Sequence, residues 1–458
     1  MELAVHPGAR TVNQVVGLNA RPIDLSPYEQ LSIDYVDNFV KTLVRSDMFK
    51  RSRSVLAVGA ALVVGAPFAT AQSTSVSPSY QIPDSSKPAD KDGPRAIPLG
   101  DGVSLTPYVN FSFGRDDNLY LTNVNKKSSV TQVYNPGLRL NLKGGASQFG
   151  LGYDLNAGRY SSSSADNYTD HKLDGFGEFV MTSSMALKLS ADYARGHDPR
   201  GSTDRVGAAS PDRYSLTGGS ALFAYGANEA KGRIEVEAGT VDRRYQNNRT
   251  STEGSDRNTD SVAGRFFFKV ATKTSLLVEA RQAKLDYKLS TSSQDSKETR
   301  YLAGVTWDAT AATSGTIKVG QIKKDFGVSS RKDFSGTGWE ANVAWKPASY
   351  STFDFYTTKS INESTGLGDF TLAKKYGTTW THGWDSRLKS VVSLSRNNDD
   401  FVGNVRADKT DAFGLAVNYK LMRWLTLSGE YNTTKRDSNT SVFDYKRNLY
   451  MLKLSATL

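Results

Sequence analysis

The stretch YNPGLRLNLKGGASQFGLGYDLNAGRY, residues 134–160, decides the fold. In its first half Tyr134, Pro136, Leu138, Leu140 and Leu142 alternate with Asn135, Gly137, Arg139, Asn141 and Lys143. After the turn Gly144-Gly145-Ala146-Ser147, Phe149, Leu151, Tyr153, Leu155 and Ala157 alternate with Gly150, Gly152, Asp154, Asn156 and Gly158. Successive side chains leave opposite faces of a pleated strand, so a period of two marks a β-hairpin with one dry and one wet face. Each arm has the length of a tilted strand crossing a bilayer, roughly 9–11 residues.

The pattern recurs to the end of the chain. Phe111 and Phe113, Leu187 and Leu189, Trp339 and Val343, and Leu415 and Val417 all sit on alternating apolar faces. The last run sets Tyr450, Leu452, Leu454, Ala456 and Leu458 against Met451, Lys453, Ser455 and Thr457. Around residues 276–289 the phase switches, which points to a bulge or to a strand leaving the membrane. Short links such as Ser183-Ser184, Thr272-Lys273 and Pro347-Ala348-Ser349 alternate with longer polar ones at residues 115–131, 196–212, 246–257 and 397–404. No apolar run of 18 residues occurs, which excludes helical spans, and no turn motif repeats at a fixed period as in a solenoid or propeller. The expected fold is all-β: a transmembrane antiparallel β-barrel of about 18 strands (16–18) over residues 104–458, placed in the outer membrane of a Gram-negative bacterium.

Composition agrees. Only 38% of residues are hydrophobic, as in a soluble protein, but a barrel exposes only alternate side chains to lipid. The absence of cysteine excludes disulfides, thiolate nucleophiles and Cys-ligated metal. Residues 48–71 combine a basic start, the apolar run 55–65 and Ala69-Thr70-Ala71 before Gln72, the order of a signal peptide cleaved between Ala71 and Gln72. Residues 1–47 then read as an upstream start-site artefact, the alternative being a cytosolic extension. Removing residues 1–71 takes away 7 basic and 6 acidic residues and leaves a net +9 from the chain's +10. Residues 72–103, rich in Ser, Pro, Asp and Lys, read as a flexible periplasmic linker.

The wet face supplies the expected lumen lining: Arg139, Lys143, Asp154, Lys188, Asp192, Arg233, Glu235, Glu237, Lys346, Lys420, Glu430 and Lys453. Such charges either pair to stiffen and hydrate the wall or mildly favour anionic solutes. Tyr108 and Trp424 fall inside by phase and offer faces on which sugar rings could stack. No enzymatic role is expected: His171 and His197 adjoin Asp170 and Asp198 at strand ends, without a serine-based triad. The runs Arg115-Asp116-Asp117-Asn118 and Arg396-Asn397-Asn398-Asp399-Asp400 lack the Gly and closing Glu of a calcium loop and read as solvated turns. Walker A and dinucleotide fingerprints are missing, and no metal, cofactor or nucleic-acid partner is expected.

Several motifs of the first strands resemble a known family. They are Thr106-Pro107-Tyr108, Asp116-Asp117-Asn118-Leu119, Asn135-Pro136-Gly137-Leu138, Gly152-Tyr153, Asp166-Asn167-Tyr168-Thr169-Asp170-His171, and Tyr193 to Gly201 with His197-Asp198-Pro199-Arg200. The chain resembles the outer-membrane β-barrel porins of exopolysaccharide and capsule gene clusters, the EpsL/VpsM type. The resemblance implies a passive conduit by which a polysaccharide crosses the outer membrane, beside a periplasmic polysaccharide export protein. Outer-membrane lipid, lipopolysaccharide and the barrel assembly machinery are the other expected partners. The alternatives are a general diffusion porin with weak anion preference, and a structural or adhesive surface barrel.

Overall fold

In the computed structural model, which describes residues 95–205, 207–307 and 312–458, eighteen antiparallel strands close into one ring. They are β2 (Val103–Asp116), β3 (Ser129–Gly144), β4 (Ser147–Tyr160), β5 (Tyr168–Thr182), β6 (Met185–Asp198), β7 (Asp212–Tyr225), β8 (Gly232–Tyr245), β9 (Arg257–Ala271) and β10 (Thr274–Tyr287). The second half comprises β11 (Ser296–Trp307), β12 (Thr313–Phe326), β13 (Phe334–Ala348), β14 (Ser351–Glu363), β15 (Phe370–Gly383), β16 (Leu388–Val402), β17 (Ala407–Met422), β18 (Leu425–Ser438) and β19 (Tyr445–Thr457). Each pairs with its neighbours in sequence, and β19 pairs with β2 from Leu449↔Asp116 to Thr457↔Tyr108. That last ladder satisfies the two edges that would otherwise face hydrocarbon.

A further strand, β1 (Ile97–Gly100), turns back at Asp101-Gly102, where Gly102 takes φ +74, and pairs with the start of β2. It continues the line of β19: Ile97 faces Leu105, just below the point where the Leu458 amide donates to the Pro107 carbonyl at 3.1 Å. The sheet therefore begins inside the stretch expected to be linker, because β2 has a free edge below Leu458 for β1 to cover. The expected extension (1–47), signal peptide (48–71), its cleavage site Ala71/Gln72 and the linker up to residue 94 lie outside the described residues.

Directly opposed residues of an antiparallel ladder share a face, so the register sorts every strand into inside and outside. Phe111, Leu151, Leu189, Ile234, Val278 and Leu452 are exposed on one face, a belt of apolar surface that suits hydrocarbon rather than water. Near the short-turn end this belt becomes aromatic. Trp345 stacks on Phe353 (5.2 Å between centroids), Phe353 on Trp380 (6.0 Å), and His382 meets Trp384 edge-on (4.4 Å). Amphipathic rings of this kind belong at a membrane interface.

Two expectations are corrected. The phase switch at residues 276–289 is no bulge: β10 keeps an unbroken ladder from Ser275 to Tyr287 with β9. Leu277 and Leu285 instead point inward and are buried there, 4% and 3% exposed. The expected outer loop 397–404 is mostly strand, since the β15–β16 ladder runs on to Phe370↔Val402. Asn397 to Asp400 therefore form no turn; their side chains alternate on a strand that rises past the apolar belt.

Candidate functional site

The lumen wall falls into two arcs. Along β8–β13 the inward charges form one continuous row. Arg233 pairs with Glu235, which meets Arg265 at 3.4 Å; Arg265 also binds Glu237 (2.7 Å) and Glu279 (2.9 Å). Lys318 bridges Glu279 (3.2 Å) and Glu340 (2.7 Å), and Arg300 joins Glu340 (3.3 Å) to Glu298 (2.5 Å). Gly304 stands opposite Lys318 on the neighbouring strand, where a Cβ would come within 1.9 Å of the Ile317 carbonyl oxygen. Most members are under 10% exposed, so each charge is compensated by neighbours rather than water. Nearer the outer end, Lys324 is fully buried against Glu363 (2.6 Å), which also accepts from Tyr287 Oη (2.5 Å).

The other arc, β16 round to β4, is wetter. Asn110 donates to Asn135 (3.0 Å) and Ser428 to Asn418 (2.7 Å), while Arg139 pairs with Asp154 at 2.6 Å with both side chains partly exposed. The Arg139 guanidinium also lies 5.7 Å from the centre of the Tyr108 ring. That ring lies flat over the neighbouring strand because Gly137 stands opposite; a Cβ there would come within 2.2 Å of Tyr108 Cζ.

The expected lining residues are distributed as follows. Arg233, Glu235 and Glu237 join the buried row, and Arg139 and Asp154 form the exposed pair. Lys188 lies 5.5 Å from the Phe176 ring centre, and Asp192 stands opposite Gly218. Glu430 and Lys453 face inward on β18 and β19, and Lys143, Lys346 and Lys420 sit near the short-turn ends of their strands. Trp424 is not in the wall: the β17–β18 ladder ends at Met422↔Leu425, so Arg423 and Trp424 form the turn. His171 hydrogen-bonds Tyr153 Oη (2.9 Å) on the outer face, whereas His197 faces Asp170 (3.0 Å).

At the long-loop end the mouth is bridged. The connection of residues 199–211 leaves β6, whose Asp198 is held by Arg243 (2.9 Å) and Tyr245 (2.8 Å), and reaches loops half-way around the ring. Asp204 is the anchor. It accepts from Thr365 N (3.0 Å), Thr365 Oγ1 (2.9 Å) and Arg406 Nη1 (2.8 Å). Arg205 donates to the Thr365 carbonyl (2.6 Å), and Arg436 donates to the Gly201 carbonyl (3.1 Å). Arg406 is itself fixed by Asp408 and by the Phe443 ring, 3.4 Å below its guanidinium. In the adjoining loop of residues 117–128, hydrogen bonding with Ser163, aided by the Arg200 guanidinium, holds the Tyr120 phenol below its ordinary pKa.

The Asp116-Asp117-Asn118 run serves the closing seam instead of a solvated turn. Asp116 is fully buried and accepts from Arg447 Nε (2.9 Å) and Nη2 (2.5 Å); Asp117 holds Asn448 through its backbone and side-chain nitrogens (2.6 Å each). Asn118 adds a bond to the Lys446 carbonyl (2.9 Å).

Among curated proteins, none matches the chain in sequence. Solved outer-membrane proteins match in structure. OccK9 (OpdG) of Pseudomonas aeruginosa is 11% identical, with 78% of this chain and 99% of that chain covered and a TM-score of 0.47. OccAB3 of Acinetobacter baumannii gives 11%, 78%, 99% and 0.44, and OpdK of Pseudomonas aeruginosa gives 11%, 78%, 99% and 0.45. The family model described as "Putative beta-barrel porin 2" matches residues 97–458, from β1 to the end of the ring, and the chain belongs to that family of outer-membrane β-barrel porins.

Proposed function

We propose that this barrel is a passive conduit through which a secreted polysaccharide crosses the outer membrane of a Gram-negative cell, docked to a periplasmic export protein. The observation that carries the reading is the bridged outer mouth. A general diffusion porin needs a standing opening, whereas a dedicated exporter benefits from one that stays narrow until cargo arrives. The amide- and hydroxyl-rich arc from β16 to β4 supports the same reading, because Asn110, Asn135, Asn418 and Ser428 can exchange hydrogen bonds with sugar hydroxyls in place of water. Tyr108 adds an aromatic face to that arc. The motif resemblance of the first strands points the same way.

Deleting the gene tests this directly: surface polysaccharide disappears while its synthesis continues, and a deletion strain with normal secretion rejects the proposal. Neighbouring genes for glycosyltransferases and a polysaccharide co-polymerase would support it. The family's porin character and the basic excess favour a second reading, a diffusion porin with weak anion preference. Large, salt-proportional conductance steps from the wild-type protein in planar bilayers would favour that reading over the first.

A further inference from the structure

The bridging loop, the β2–β3 loop and the β18–β19 loop enclose a cavity of about 320 Å³ at the outer mouth. Its lining brings together Arg200, Arg205 and Arg436 with the rings of Tyr120 and Phe443 and the small residue Ala208. Arg200 is paired with Asp166 and lies 3.8 Å from the centre of the Tyr120 ring. Arg205 is paired with Asp212 at 2.7 Å and its side chain is 9% exposed, yet its Nη2 has no hydrogen-bond partner among the described residues. Arg436 donates only to carbonyls, those of Phe443 (2.7 Å) and Gly201 (3.1 Å), and forms no ion pair among the described residues.

Two deficits therefore meet in one cavity: a cation with no ion pair of its own among the described residues, the nearby Asp204 and Asp408 being engaged by Arg406, and a buried donor without an acceptor. Both are costly in a sheltered site, and a single anion with oxygen acceptors relieves both. The space exceeds what a bare ion fills and lies at the lower end of the ~300–1,000 Å³ of small-molecule sites. Aromatic rings and an alanine wall suit the body of a sugar. We propose that this cavity binds a carboxylate-bearing sugar residue of the hexuronate class, its carboxylate received by Arg436 and Arg205 and its ring set beside Tyr120 and Phe443. The choice of a sugar rests on the conduit reading; the test does not involve export.

Calorimetric titration of the purified full-length protein in detergent with glucuronate, glucose and inorganic phosphate separates the outcomes. The expected result is saturable glucuronate binding, weaker phosphate binding and none of glucose at the same concentrations. Arg436→Gln should lower glucuronate affinity by about tenfold or more, the worth of a charged hydrogen-bonded contact. Ala208→Trp, which fills the cavity from a loop and leaves every arginine in place, should abolish binding as well. Both variants are checked for the folded barrel by their heat-shifted gel mobility. Equal binding of glucose and glucuronate, phosphate bound more tightly than glucuronate, or unchanged affinity in both folded variants overturns the assignment. Glucuronate binding together with normal secretion in the deletion strain keeps the site and removes the conduit reading; lost secretion without glucuronate binding does the reverse.

Discussion

Asp204 illustrates how much a single carboxylate holds at the outer mouth. It joins the bridging loop to Thr365 and Arg406 on the far side of the ring, so Asp204→Ala removes three bonds at once. We expect the variant to conduct severalfold more current in planar bilayers while keeping its heat-shifted mobility; an unchanged conductance would refute the anchor. Glu279 is the matching case inside the wall. Glu279→Ala leaves Arg265 and Lys318 short of a partner in a sheltered position, a loss of roughly 3–5 kcal/mol where such pairs are buried. Urea unfolding in lipid vesicles measures it, lumen water setting how far below that range the value falls. The wet face of the first hairpin made Arg139 and Asp154 legible from alternation alone. Arg265, Glu279, Lys318 and Glu340 were not, because their partners lie up to 40 positions apart in sequence and only the register brings them together.

Strand boundaries were the most legible feature, since a period of two is a local signal and lipid enforces it on the outer face. It failed where the inner face departed from polarity. On β10 the inward Leu277 and Leu285 mimic a change of phase, because the sheltered row of charges beside them keeps water away. Leu285→Ala should therefore cost about 2–5 kcal/mol, as in a protein core. A near-zero effect by the same urea assay would mean that water reaches this side chain. On β16 the polar run Asn397 to Asp400 reads as a turn by composition, yet the ladder partners on β15 and β17 keep it extended. The bridging loop reads in sequence only as the long polar link 196–212; its bridging left no signal, because its contacts are irregular and fall on Thr365, Arg406 and Arg436, each from a different segment.

For the whole molecule, closure is the decisive step, and its seam is guarded at both ends: by Asp116, Asp117 and Asn118 against β19 at the outer end, and by β1 beneath Leu458 at the other. Arg447→Ala should loosen the outer end first, seen as faster hydrogen exchange of the amides at residues 445–449 while the β8–β9 ladder stays protected. Uniform exchange across the barrel would contradict a local role. The unequal arcs of the wall carry a last consequence. From β8 to β13 the charges already satisfy one another, so that side offers a passing molecule little to hold; from β16 to β4 the neutral amides, though bonded in pairs, keep spare donors and acceptors. Anything threading the barrel would travel eccentrically, hugging one bank of the channel. Photo-crosslinkers placed at Ser112 or Asn418 would then capture it, and the same groups at Gly304 or Gly320 would come away empty.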